Sequence, residues 1–237
     1  MKATEFITEI VPIPQSYFPG GSGDLAVGAV SKVPGLKPIP GMNPKFKFRI
    51  PNTNNRNISI YAAERGYFRQ VATLYLAPAA EYELPFKNAY VVSFITTHED
   101  YQGLGLASKL YELYFRHIGK ILLSGLSHTP AGQRNWVSLF NSPNLTVSGL
   151  IAIDDYFFDS EPPDPKFEKY VADIMQMGGE YMGTGGHETI MKHWYRVPMR
   201  HDKNRLEVLY KTPRVKMYSK TDPNDLRAIL MATWAGK

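Results

Sequence analysis

Apolar and polar residues alternate strictly in KFKFRI (45–50), with Phe46 and Phe48 on one side and Lys45, Lys47 and Arg49 on the other. That is the pattern of a half-buried strand. NISIYAAER (57–65) and QVATLYLA (70–77) are β-rich runs parted by Gly66, and AYVVSFITT (89–97) follows the turn-prone EYELPFKN. The period then changes. Over 104–118, Leu106, Leu110, Leu113 and His117 recur every three or four residues, with Lys109, Glu112 and Arg116 on other faces, which predicts a helix. KILLSG (120–125) suits a short buried strand. SHTPAGQRNWVSLF (127–140) suits a helix with Thr129 as N-cap and Pro130 in the first turn, and LTVSGLIAI (145–153) returns to strand. From residue 57 the order is β-β-β-α-β-α-β, and the strands around 89–124 are expected to be parallel through a crossover helix.

The flanks differ in kind. Residues 11–56 are dense in Pro, Gly and Asn (PIPQSYFPGGSG, VPGLKPIPGMNP, PNTNNRN), which opposes regular structure and predicts an extended arm over 1–44. Residues 45–153 form the predicted core. In 154–237, EPPDP reads as a loop, FEKYVADIMQM (167–177) as a helix and GGEYMGTGG (178–186) as a flexible turn. RLEVLYK (205–211) and RVKMYSK (214–220) read as strands of a β-rich basic extension.

Composition narrows the class. The chain has 237 residues, 43% of them hydrophobic and 21% charged, enough for a sizeable core. With no cysteine, disulfides, thiolate metal sites and cysteine nucleophiles are excluded, and a reducing, cytoplasmic setting is the expectation. Glu5 and Glu9 interrupt the apolar start, which argues against a secretory signal, and no run is long enough for a membrane span. Residues 187–237 hold 11 Lys/Arg against 5 Asp/Glu, so the net charge of +5 resides there. Such a surface is either solvated or attracts an anionic partner, nucleic acid included.

Chemistry concentrates in HEDYQGLGLASKL (98–110), between a predicted strand and a predicted helix. A glycine-rich turn there exposes unpaired backbone N–H groups at a helix start, where the dipole adds positive character. Physics alone leaves two readings: a pyrophosphate cradle, or an ordinary strand-to-helix turn. The run is not GxGxxG, because Ser108 stands where the third glycine belongs, nor is it a P-loop.

Gln102-x-x-Gly105-x-Ala107, set in VVSFITTHEDYQGLGLASKL, resembles the Arg/Gln-x-x-Gly-x-Gly/Ala signature of the GNAT superfamily of acetyl-CoA-dependent N-acyltransferases. The likeness spans roughly 57–153 and is specific over 90–118. It implies an α/β fold with a mixed sheet flanked by helices. It further implies acetyl-CoA as cosubstrate, its pantetheine arm paired with Ile95, Thr96 and Thr97. The pyrophosphate would lie on the N–H groups of Gln102, Gly103, Leu104, Gly105, Leu106 and Ala107, with Ser108. The acetyl group would sit where strand 90–97 splays from strand 120–124, and an amine would attack the thioester directly. Thr129-x-x-Gly132-x-x-x-Trp136 in a compact core also resembles acetyltransferase-like proteins of tailed phages, which would place the chain in a host cytoplasm.

The sequence departs from that pattern at the proton route. Segment 89–97 has no carboxylate, and Phe140 stands where many relatives carry a tyrosine. His128 is the candidate base, ahead of Glu81, Glu83 and Tyr101. The helices usual between the family's first two strands are also missing. These gaps keep a second expectation open: a catalytically degenerate module binding a protein or nucleic acid through 187–237. His187, Glu188 and His193 are set aside as a metal site, since histidines six apart lie about 600° apart on a helix. Trp194, Tyr195, Tyr210, Tyr218 and Trp234 read as sheet core rather than base-stacking groups.

Overall fold

A computed structural model describes residues 32–51, 57–82, 84–124, 130–154, 165–176, 178–187, 190–198 and 227–235. The strands expected at 205–211 and 214–220 and the EPPDP loop lie outside these residues. In chain order the described elements begin with β1 (Lys37–Pro38), β2 (Phe46–Arg49), β3 (Asn57–Glu64), β4 (Tyr67–Pro78) and β5 (Tyr90–Thr97). Next come α1 (Leu106–His117), β6 (Ile121–Leu123), α2 (Pro130–Phe140) and β7 (Leu145–Asp154). They end with α3 (Pro165–Gln176), β8 (Glu180–His187), β9 (Ile190–Pro198) and β10 (Arg227–Trp234). The fold is mixed α/β, and the β-β-β-α-β-α-β order from residue 57 is the observed one.

The strands form one sheet ordered β1-β2-β3-β4-β5-β6-β10-β7-β9-β8. Neighbours are antiparallel except β5 and β6, which run parallel through the α1 crossover. Two elements differ from the sequence reading. GGEYMGTGG, expected as a flexible turn, supplies most of strand β8; Gly183, at φ 111°, takes up a register shift against β9. RAILMATW, unassigned from sequence, is β10 and lies between β6 and β7.

All three described helices pack on one face of the sheet. α1 buries Leu106, Leu110, Tyr111, Leu113 and Tyr114, and α2 buries Trp136, Leu139 and Phe140, against a core that includes Ile58, Ile60, Leu74, Val92, Leu122, Val147 and Leu230. Ile174 of α3 packs with Tyr195, Val197 and Ile151. Ile151 lies on the same alternation row of β7 as Leu145 and Val147, so α3 shares the helical face. Outside, Glu112 bonds Lys109 at 2.5 Å and Arg116 at 2.9 Å. His117 is not core but an exposed ring stacked on Phe48, centroids 5.2 Å apart. On the opposite face, Ala79, Phe86 and Ala89 cover the centre of the sheet over Val91, Leu123, Ala152, Trp194 and Met231. Trp194 and Tyr195 are buried in the sheet, the setting expected of them.

Candidate functional site

The segment after β5 makes two tight turns before α1 begins. His98 opens a 3-10 turn over Glu99–Tyr101, and the N–H of Gln102 closes it on Glu99 O at 3.2 Å. Gly103 and Gly105 then adopt φ of 77° and 73°. Left-handed backbone disfavours a side chain at both places, which is the physical reason for two glycines in three residues. A Cβ on either would meet no atom within 4 Å, so the demand is conformational and the space above the turn is open.

Gly105 is the N-cap of α1 and has no side-chain cap; the first helical rung is Lys109 N–H to Gly105 O at 3.0 Å. The N–H groups of Leu106, Ala107 and Ser108 precede that rung and have no helical partner. Gln102, Gly103, Leu104, Gly105 and Ser108 are exposed, Ala107 is half-buried, and Leu106 anchors the helix in the core. An open cradle of N–H groups at a helix start has the donor set that a diphosphate needs. The N–H of Gln102 faces inward to Glu99, so the open donors begin at Gly103.

The hairpin between β3 and β4 holds this segment from below. Glu64 accepts from the hydroxyls of both Tyr101 and Tyr67, the latter at 3.2 Å. Tyr101 is buried, edge-on to Phe46 and to His98. Arg69 Nη2 lies 2.6 Å from His98 Nε2, and Arg69 Nη1 lies 3.5 Å from Asp100 Oδ2. On the other side of the ring, His98 Nδ1 accepts from the Asp100 N–H at 3.3 Å and so caps the 3-10 turn. Two independent contacts therefore fix the 3-10 turn from which the glycines project. Tyr101, a candidate base ranked behind His128 from sequence, donates its hydroxyl to Glu64.

β5 pairs with β4 along its whole length, out to Thr97 with Ala72. Against β6 it pairs only through Tyr90–Leu122 and Val91–Leu123. Beyond Leu123 the chain turns to β10: Ser124 N–H donates to Leu230 O at 2.8 Å, and Ser124 Oγ accepts from Leu230 N–H at 2.9 Å. From Val92 onward, among the described residues, β5 has no strand on its β6 side. That places the Ile95, Thr96 and Thr97 backbone along an open edge leading to the glycine turn. At the closed end, the Tyr114 hydroxyl donates to Ile121 O at 2.5 Å and pins α1 to β6; burial pushes this phenol's pKa well up.

A β-bulge lies at the mouth of the opening. Tyr75 pairs with Phe94 and Leu76 with Val92, so Ser93 is the extra residue, and it is exposed. The bulge disrupts the ladder locally and leaves Ser93 without a register partner on β4. Nothing in AYVVSFITT marks this position; it follows from the register with β4. Of the other candidates, His128 and Glu83 lie outside the described residues. Glu81 sits in the 3-10 turn Ala79–Tyr82, and Phe140 is buried core.

Among the described residues no cluster of three or more His, Asp or Glu could hold a metal, and no helix is long and apolar enough to cross a membrane. No protein-family model matches the chain, and no curated protein matches it. Among solved structures, it is distantly similar to a chain assigned to the GNAT acetyltransferase family from Desulfovibrio desulfuricans. The identity is 11% and the TM-score 0.23, over 61% of this chain and 70% of that one. A GNAT-family acetyltransferase from Streptococcus pneumoniae matches at 11% identity and TM-score 0.23, over 62% and 69%. A ribosomal-protein-alanine N-acetyltransferase from Brucella melitensis matches at 13% and 0.20, over 60% and 69%. These likenesses are distant and loose.

Proposed function

We propose that the chain is an acetyl-CoA-dependent N-acetyltransferase. The observation that carries this reading is the parting of β5 from β6 after Val91–Leu123, with a bulge at the mouth and a glycine-rich helix start in line with it. In this reading the N–H groups from Gly103 to Ser108 hold the pyrophosphate of acetyl-CoA. The open edge at Ile95, Thr96 and Thr97 pairs with the pantetheine amides, and the thioester lies beside Ser93. The bulged N–H then faces the charge that develops on the carbonyl oxygen. The amine nitrogen forms the new bond to the carbonyl carbon, the C–S bond breaks, and the amine's proton leaves to water or to the departing thiolate. Positioning supplies much of such a rate, because two bound reactants meet without the entropy of encounter.

Calorimetric titration of the chain with acetyl-CoA tests the reading: saturable binding that is lost in Gly105→Val supports it, and no binding heat at all removes it. A second reading, a non-catalytic module binding nucleic acid or protein through 187–237, is favoured by Phe140, a buried ring with no hydroxyl to give a proton. Acetyl transfer together with salt-insensitive or absent nucleic-acid binding would exclude it.

A further inference from the structure

The hairpin that holds the glycine turn has an irregularity of its own. Arg65 and Gly66 join β3 to β4 in a two-residue loop, at φ of 43° and 91°. Both positions of such a loop need left-handed backbone, which Asn-Gly supplies without strain and an arginine does not. Arg65 is exposed, so no packing offsets the strain. Strain kept at an exposed position points to a use for the side chain, here a cation. A second cation stands beside it. Lys45 O accepts from the Ala63 N–H at 2.8 Å, which sets Lys45 next to the hairpin tip. Its ammonium lies over the Phe46 ring, 4.9 Å from the centroid, and over the Tyr101 ring at 5.9 Å. Among the described residues neither Arg65 nor Lys45 is in an ion pair. Of the acids nearby, Glu64 is bound by two tyrosine hydroxyls and Asp100 by Arg69, while Glu99 is exposed.

Resting on the acetyltransferase reading, we infer that Arg65 and Lys45 take the 3′-phosphate of acetyl-CoA and so select it over cosubstrates without that group. In that reading the thioester lies beside Ser93, the pantetheine along Ile95 to Thr97 and the pyrophosphate on Gly103 to Ser108. The nucleotide end then leaves the turn beyond the C-terminal end of β5. Thr97, the last residue of β5, pairs with Ala72, and Tyr67 to Val71 of β4 continue past it, about 16 Å of strand. The hairpin tip therefore projects at the end where the nucleotide emerges, and Tyr101 ties that tip to the glycine turn through Glu64. A phosphate monoester carries nearly two negative charges at neutral pH and accepts from several donors at once. The guanidinium of Arg65 offers it a planar fork, and the ammonium of Lys45, steadied by two rings, a point charge.

Calorimetric titration of the full chain with acetyl-CoA and with acetyl-3′-dephospho-CoA tests this. Exposed charge pairs contribute a few-fold each, so the parent should bind the dephospho form about tenfold more weakly. Arg65→Asn, and Lys45→Met with its unbranched stem still over the rings, should each weaken acetyl-CoA about threefold and leave the dephospho form unchanged. The double variant should bind the two ligands alike. Arg65→Asn should also raise the urea midpoint, because asparagine tolerates the loop. A fall in that midpoint would make Arg65 a residue of the fold and overturn its assignment. Equal affinity of the parent for the two ligands, or equal losses for both in the variants, overturns the 3′-phosphate site while leaving the acetyltransferase reading intact. Failure of the parent to bind either ligand overturns both.

Discussion

The Tyr101 hydroxyl donates to Glu64 Oε1, joining the glycine-turn segment to the tip of a hairpin 37 residues earlier in the chain. Because Glu64 also accepts from Tyr67, one carboxylate organises two tyrosines at the foot of the glycine turn. Tyr101→Phe removes one hydrogen bond to a charged group and should cost about 1.5–3 kcal/mol of stability. Glu64→Gln, which keeps an acceptor, should cost less than Glu64→Ala. Urea denaturation gives the stabilities. Calorimetry should show weakened acetyl-CoA binding in the same rank order.

Gly103 and Gly105 sit in left-handed backbone with open space around the missing Cβ. Alanine at either should therefore destabilise by about 1–2 kcal/mol through backbone strain alone. Asparagine, which tolerates this conformation, should cost less. Valine at 105 should in addition abolish acetyl-CoA binding. If alanine and asparagine are equally costly, the conformational explanation is wrong.

In the proposed reaction the backbone N–H of Ser93 takes part and its side chain does not. Ser93→Ala should leave kcat within about twofold. Ser93→Pro, which a bulge can accommodate, removes the donor and should lower kcat by about 10²–10³ while acetyl-CoA affinity holds. Steady-state kinetics and calorimetry on the two variants separate these effects.

His117, though exposed, has its pKa lowered, first by partial desolvation of the ring that stacks on Phe48 and then by the charges of Lys37 and Arg116. The unfolded chain, with an ordinary histidine near about 6.5, then binds the proton more readily than the fold does. The stabilising contribution is present above that value and is lost as pH falls through it. Stability measured between pH 7.5 and 5 should decline less steeply in His117→Gln than in the parent.

The glycine turn and its flanking strand and helix were legible because local demands wrote them. Positive φ needs glycine, and α1 needs Leu106, Leu110 and Leu113 on one side. The bulge was not legible: Ser93 is displaced by pairing with β4 some twenty residues earlier, and its own run reads as unbroken strand. GGEYMGTGG misled in the opposite direction. Its glycines announce a turn, yet pairing with β9 overrides their propensity and tucks the irregularity into one register shift. RAILMATW is apolar enough for a strand, but its position depends on β6 and β7, both more than seventy residues away in sequence. The corner of Lys45, Arg65 and Tyr101 is likewise invisible locally, since its members belong to three runs.

The placement of β10 has a consequence for synthesis. Residues 227–234 bridge β6 to β7, so β1–β6 and β7–β9 remain separate half-sheets until that stretch has left the ribosome. Pairings of such long range form slowly, and the edges of β6 and β7 stay open to the wrong partner meanwhile. A nascent chain stalled before residue 227 should thus be protease-sensitive and dependent on chaperones, however complete its glycine turn.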